Sequence, residues 1–260
     1  KLLEKNIFPY LVILMVGEDI HSKKYVEMKA NQCQKIGVNA KIHFLPSNYE
    51  KTDLIKKIQA LNNDPSVHGI LIQLPLPPHL DENEIISYIS ETKDVDGLLP
   101  ISLGNMFTNK KSFVSAGALA CLSLINHYKI NINNAHSVIL GSSNIFCKPL
   151  LPLLLNHGSY VTICNDISNI NSHKIISNAD LLFVDVQSSN IILKNMVKKN
   201  VVVFDAGNNY IDGKLTGDVD FNSVKEIASW ITPVPGGIGP LLITMLIKNV
   251  LQSANGQKHS

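Results

Sequence analysis

The run Tyr10-Leu-Val-Ile-Leu-Met-Val16 is apolar from end to end and constrains the fold more than any other stretch of the chain. It is far too short to cross a bilayer. An apolar run without polar alternation reads as a strand covered on both faces. Such strands belong to parallel sheets, and parallel neighbours need helical crossovers. The following residues supply them. The strand stops at Gly17, and Ser22 caps a helix that runs to about Ile36 and closes at Gly37. Lys41 to Leu45 alternates as a strand, and Thr52 to Asn62 has helical spacing. Val67 to Leu74 is a second buried run, ending at Pro75, and Asp81 or Glu82 opens a helix that stops before Lys93. This β-α-β-α-β-α order predicts a parallel sheet with helical crossovers.

A polar stretch, Gly104 to Lys111, separates this half from a second series. Gly117 to Tyr128 reads as a helix. Ser137–Leu140, Tyr160–Cys164, Leu181–Val186, Val201–Asp205 and Trp230–Thr232 read as short apolar strands. Helical segments fall near Pro149–Asn156, Ile170–Ala179 and Lys194–Lys198. The expectation is a two-domain α/β protein with a cleft between the domains. Residues 1–112 form an N-terminal α/β domain, and residues 113–239 a Rossmann-like, doubly wound dinucleotide-binding domain. The last helix, from Pro240, has an apolar face suited to packing back on the first domain, over residues 240–256.

Composition narrows the function. All 23 basic residues are lysine, against 21 acidic ones, for a net charge of +2. Without arginine no site here uses a bidentate guanidinium fork. The near-neutral balance argues against a nucleic-acid binder, and no run is long enough for a membrane span. Cys33, Cys121, Cys147 and Cys164 lie far apart with no CxxC pair. They are expected as reduced core thiols of an intracellular, cytoplasmic protein, with no metal site. Any targeting segment ahead of Lys1 would be invisible.

Four segments hold residues able to do chemistry. Tyr25 and Lys29 stand at i and i+4, on one helical face. Together they form either a phenol–ammonium acid/base pair or the edge of an ordinary amphipathic helix. Gln73 interrupts an otherwise apolar run, so its amide serves a ligand, a catalytic side chain or a structural bond. In Lys93-Asp94-Val-Asp96-Gly97 two carboxylates lack a third oxygen ligand for a metal. They suit paired N–H donors of a heterocycle, or a turn cap. Thr232-Pro-Val-Pro-Gly-Gly-Ile-Gly-Pro240 is a Pro/Gly loop leading into a helix, open to close backbone approach.

Taken together these segments resemble the bifunctional methylenetetrahydrofolate dehydrogenase/methenyltetrahydrofolate cyclohydrolase family. The matching elements, in the family's order, are Tyr25-x-x-x-Lys29, Gly69-Ile-Leu-Ile-Gln-Leu-Pro-Leu-Pro77, Lys93–Gly97, Gly217-Asp-Val-Asp-Phe221 and Thr232–Pro240. The resemblance implies oxidation of 5,10-methylenetetrahydrofolate with a nicotinamide cofactor, NADP by family, followed by hydrolysis to 10-formyltetrahydrofolate. It implies Lys29 as general acid/base, Tyr25 packing on the folate, Gln73 positioning Lys29, and Asp96 holding the pterin edge. Val26, Ile72 and Leu74 would add to the folate side, with Pro233, Val234, Pro235, Gly236, Gly237, Ile238, Gly239 and Pro240 lining it. It further implies a homodimer.

Departures from the family's pattern cluster at the cofactor. Gly141-Ser142-Ser143-Asn-Ile-Phe-Cys147-Lys-Pro149 replaces G-R-S-x-x-V-G-x-P. Ser142 thus stands for an arginine, and Cys147 puts a side chain where backbone would approach the pyrophosphate. Cys164-Asn-Asp166 replaces C-H-S or C-H-R, Val186-Gln-Ser188 replaces A-x-G, Gly207-Asn208-Asn209 replaces G-I-N, and Phe113-Val-Ser-Ala116 replaces PCTP. Asp166 lies 25 residues past Gly141, where dinucleotide folds place the acid that takes a ribose 2′-hydroxyl. Gly141, Ser142, Ser143, Asp166 and Asn208 are therefore the expected cofactor residues, with NADP binding weakened or shifted toward NAD by Ser142, Cys147 and Asp166. Two narrower readings stay open: a cyclohydrolase alone with a degenerate cofactor site, and a silent folate- or partner-binding protein.

Overall fold

Strand β1 (Tyr10–Val16) is the centre of a three-stranded parallel sheet of order β2-β1-β3, as its unbroken apolar sequence requires. In this computed structural model, which describes residues 7–256, β2 (Asn39–Leu45) pairs along the whole of β1, and β3 (Gly69–Ile72) pairs with Leu11–Leu14. Strand β3 is shorter than the expected Val67–Leu74 because Val67 N–H turns back to the Asp64 carbonyl; Gln73 N–H still reaches Leu14 O at 2.9 Å. Helix α1 (Ile20–Lys35) starts earlier than expected. Asp19 rather than Ser22 is its cap, the carboxylate accepting Ser22 N–H at 2.6 Å, where a negative charge also suits the helix amino terminus. Helices α2 (Lys51–Asn63) and α3 (Glu82–Ser87) follow. Helix α4 (Pro100–Phe107) covers part of the stretch expected to be a polar separator, since Met106 is drawn into the core.

The second sheet has five parallel strands: β4 (His136–Leu140), β5 (Tyr160–Cys164), β6 (Leu181–Val184), β7 (Val202–Asp205) and, later in the chain, β10 (Trp230–Ile231). Their order is β10-β7-β6-β4-β5, with β4 between β5 and β6, so strand succession reverses at β4. Helices α5 (Ala116–His127), α6 (Cys147–Asn156) and α7 (Ile170–Ile176) belong to this unit, with a 3-10 turn at Lys194–Met196. The sequence reading missed a hairpin, β8 (Asn209–Ile211) and β9 (Lys214–Thr216), whose Asp212-Gly213 turn has φ of 49° and 75°. Short helix α8 (Phe221–Val224) follows, and α9 (Ile238–Gly256) ends the described chain. Stacked Phe183 and Phe204, 4.7 Å apart, are fully buried in this unit.

The chain divides into two compact units, the first made of Lys1–Gly104, Ser112–Val114 and Ile243–Ser260, the second of Asn105–Lys111 and Ser115–Leu242. The division is thus not a single cut between residues 112 and 113. From Ile243 onward α9 is part of the first unit, held there by polar as well as apolar contacts. Asn249 donates to Val95 O and Val114 O at 2.8 and 2.9 Å, and Ser253 Oγ donates to His68 O and Thr92 O. Asn249 is buried, so Asn249→Ala strips the donors from the Val95 and Val114 carbonyls. It should cost about 2 kcal/mol, read by urea unfolding; a loss too small to measure would show that Asn249 contributes little to holding α9.

Candidate active site

Helix α1 turns Val26, Lys29, Ala30 and Cys33 into the protein, a 3-4 spacing that places a lysine on the buried face. Lys29 is only 5% exposed. Its Nζ donates to Gln73 Oε1 at 3.0 Å and lies 4.7 Å from the centre of the Tyr25 ring, one turn earlier. Gln73 follows β3 directly. Its Nε2 is committed to Leu74 O at 2.7 Å, which fixes the amide so that its oxygen faces Lys29. The Gln73 amide is thus satisfied on both sides, with Lys29 as its donor partner.

Asp94 and Asp96 have different surroundings. Asp94 is buried and accepts Leu98 N–H, Leu99 N–H and Ser102 O–H at 3.1, 2.9 and 3.2 Å, so it caps the start of α4. Lys93 donates to Leu61 O and Asp64 O at the end of α2. Between these anchors the turn presents Asp96 to Lys29. Burial lowers the Lys29 pKa, with Asp96 and then Cys33 pulling it back. Burial raises the Asp96 carboxyl, opposed by Lys29 and reinforced by Asp94. Tyr25 is pushed up to about 12, first by burial and then by Asp96, so its phenol stays protonated. The constellation is a desolvated amine, its pKa lowered by burial, in the field of a carboxyl group whose pKa burial raises. Cys33, one turn beyond Lys29, was not singled out in sequence although its spacing continues the Tyr25–Lys29 stripe; burial pushes its thiol up to about 11, so it is no nucleophile.

Val26 and Ile72 are buried in the core of the first unit, and Leu74 is half-buried. Pro233 to Pro240 forms an exposed turn into α9, with Val234 and Gly237 half-buried and Ile238 buried.

In the second unit the turn after β4 holds three of the expected cofactor residues, Gly141, Ser142 and Ser143. Gly141 has φ +127°, and a Cβ there would sit 2.2 Å from Asp185 O, so only glycine fits. Ser142 is exposed. Ser143 Oγ accepts Phe146 N–H and Cys147 N–H at 3.2 and 3.1 Å and donates to Asp185 Oδ2 at 2.5 Å. Cys147 corrects the sequence reading: it is fully buried, its sulfur packed inward near Gly141 and 3.9 Å from Asp185 Oδ2, and it presents no side chain to an approaching pyrophosphate. Asp166 is exposed beyond the end of β5. Ser168 N–H and Oγ both donate to its Oδ1, holding its carboxyl below the usual range and hence ionised. Asn208 is exposed in the loop after β7. The tight glycine turn and a carboxylate at the end of the neighbouring strand fit the phosphates and adenosine ribose of a dinucleotide. Among the described residues no group of three or more His, Cys, Asp or Glu is placed to hold a metal, and no helix is long and apolar enough to cross a membrane.

A parallel sheet whose strand succession reverses at β4 is the architecture of the dinucleotide-binding class of α/β proteins. Residues 1–96 match the tetrahydrofolate dehydrogenase/cyclohydrolase catalytic domain and residues 115–258 the NAD(P)-binding domain of the same proteins. This chain belongs to the tetrahydrofolate dehydrogenase/cyclohydrolase family. It is 43% identical to the bifunctional protein FolD of Halalkalibacterium halodurans over 98% of this chain and 91% of that one. The crystal structure of the bifunctional methylenetetrahydrofolate dehydrogenase/cyclohydrolase FolD from Campylobacter jejuni superposes with a TM-score of 0.95 at 38% identity, covering 98% and 90% of the two chains. The Trypanosoma brucei FolD complexed with NADP and an inhibitor gives a TM-score of 0.93 at 29% identity, covering 98% and 90%.

Proposed function

We propose that this chain oxidises 5,10-methylenetetrahydrofolate with a nicotinamide dinucleotide and hydrolyses the resulting methenyl compound to 10-formyltetrahydrofolate. The observation that carries this reading is the buried Lys29 amine, held by Gln73 and flanked by Tyr25 and Asp96. Lys29 moves the proton as water adds to the methenyl carbon, burial having lowered its pKa from the ordinary lysine value. Gln73 keeps the amine in place. Asp96 pairs with N–H donors of the pterin, and the Tyr25 ring packs on the folate. Pro233 to Pro240 lines the folate side, with Gly236 and Gly237 allowing backbone approach. The nicotinamide accepts the hydride; the protein supplies alignment. Purified protein given methylenetetrahydrofolate with each dinucleotide, then methenyltetrahydrofolate alone, tests both steps. Turnover of neither substrate overturns the reading.

Cofactor choice turns on Asp166. Its ionised carboxylate welcomes the ribose 2′-hydroxyl of NAD and repels the 2′-phosphate of NADP, and Ser142 offers no countercharge. NAD should therefore bind better than NADP, and Asp166→Ser should move the ratio of dissociation constants toward NADP by about tenfold. Tight, NADP-preferring binding by the unaltered chain would contradict this.

A homodimer fits the exposed outer strand β5, which ends the sheet and exposes Tyr160 (64%) and Ile163 (38%). A cytoplasmic setting fits four buried, unbridged thiols.

A further inference from the structure

We infer that Asp185 is a latch across the dinucleotide crevice and limits the affinity for NAD and NADP alike. The inference rests on the reading of the second unit as the dinucleotide site.

Ligands of doubly wound sheets sit at the carboxyl ends of the strands where succession reverses. Here that point lies between β4 and β6, paired in register through Leu140 and Val184. Asp185 is the next residue, and its N–H extends the ladder to Leu140 O at 2.9 Å. Its carboxylate bridges the two loops that leave this point. Oδ2 takes the Ser143 hydroxyl of the β4–α6 turn at 2.5 Å, and Oδ1 takes Gln187 Nε2 from the loop after β6 at 2.7 Å. Cys147 Sγ lies 3.9 Å from Oδ2.

Two consequences follow for a pyrophosphate. It meets a negative charge, only 8% exposed and so weakly screened. It also finds donors already engaged: Ser143 O–H and the Gln187 amide are spent on Asp185, and Phe146 N–H and Cys147 N–H are spent on Ser143 Oγ. Gln187 adopts φ +56°, unusual for a residue with a side chain, and is fixed there by Asp185 through its amide and by Asp218 through its N–H. The latch is therefore held on both sides. The adenosine ribose, at the end of β5, is outside its reach, so the effect falls on the part that NAD and NADP share.

Titration calorimetry of NAD, NADP and adenosine against the whole chain and its Asp185→Asn and Asp185→Ser variants tests this. Both variants should bind the two dinucleotides about tenfold more tightly, leave the NAD-to-NADP ratio unchanged, and leave adenosine binding unchanged. Asp185→Ser guards against a misfolded asparagine variant, each checked by its unfolding transition. Unchanged or weaker dinucleotide binding overturns the latch, as does a gain confined to one dinucleotide. Failure of Asp166→Ser to move the ratio would instead count against the cofactor-choice reading. Absence of dinucleotide binding by every protein overturns both.

Discussion

Lys29→Ala should abolish hydrolysis of methenyltetrahydrofolate while leaving a folded protein. The buried amine is held by Gln73 near Tyr25 and Asp96, and general acid–base catalysis typically contributes about 10²–10⁴-fold, so hydrolysis should fall by at least the lower figure. Stability should not fall with it. Burial disfavours the charged amine, so below its lowered pKa Lys29 carries a desolvation cost in the folded state that is absent in the unfolded chain. That cost shrinks as pH rises through the folded-state pKa toward the ordinary lysine value. Lys29→Met, which keeps the stem and drops the charge, should therefore be as stable as the parent or more so. Its advantage should be largest at and below neutrality and close at alkaline pH. A catalytic group that costs stability is a common trade at enzyme sites. Hydrolysis retained in a folded Lys29→Ala protein would refute the role given to Lys29. An alanine or methionine variant that unfolds more readily than the parent would show that Lys29 is structural.

The unbroken apolar run of β1 was legible because burial on both faces leaves no other reading; β5, an edge strand with exposed residues, also has the bounds its sequence predicts. The pair Tyr25–Lys29 was legible as a helical spacing. What spacing does not encode is partnership across the chain. Gln73 lies 44 residues from Lys29, and only the β1–β3 pairing brings them within 3.0 Å. The inward turn of Cys147 was equally hidden, since sequence does not tell which side of a turn a side chain takes. Asp185 had a visible signal, a carboxylate closing an apolar strand, but it was read as part of the run to Val186. Asn249 carries no such signal; an asparagine on an apolar helix becomes meaningful only once Val95 O and Val114 O are its acceptors.

Asp218→Ala should be the most destabilising single change on the cofactor side. The segment Gly217–Phe221 was legible as a motif, without a reason for its aspartates. The structure supplies one. Asp218 is fully buried, its Oδ2 accepting Val186 N–H and Gln187 N–H at 2.7 and 3.1 Å. Its Oδ1 accepts Ser188 N–H and Asn209 Nδ2, both at 2.8 Å. One carboxylate thus gathers the loop after β6 and the start of the β8–β9 hairpin. Its own N–H is held by Asp205 Oδ1 at 3.0 Å, and Asp205 also accepts Gly207 N–H and Val219 N–H. Alanine would leave three backbone N–H groups and an amide facing a cavity. Breaking a buried, charged network of this kind costs roughly 3–5 kcal/mol, a fall of on the order of 10 °C in the unfolding midpoint. Asp218→Asn, which keeps one acceptor oxygen but turns an NH₂ toward the other donors, should lose less. Replacing Asp166, exposed and bonded only to Ser168 of its own turn, should leave the midpoint unchanged. Calorimetric unfolding of the three variants tests the ranking. A loss for Asp218→Ala no larger than that for Asp166→Ser would mean that these loops are held by their own backbone and not by the carboxylate between them.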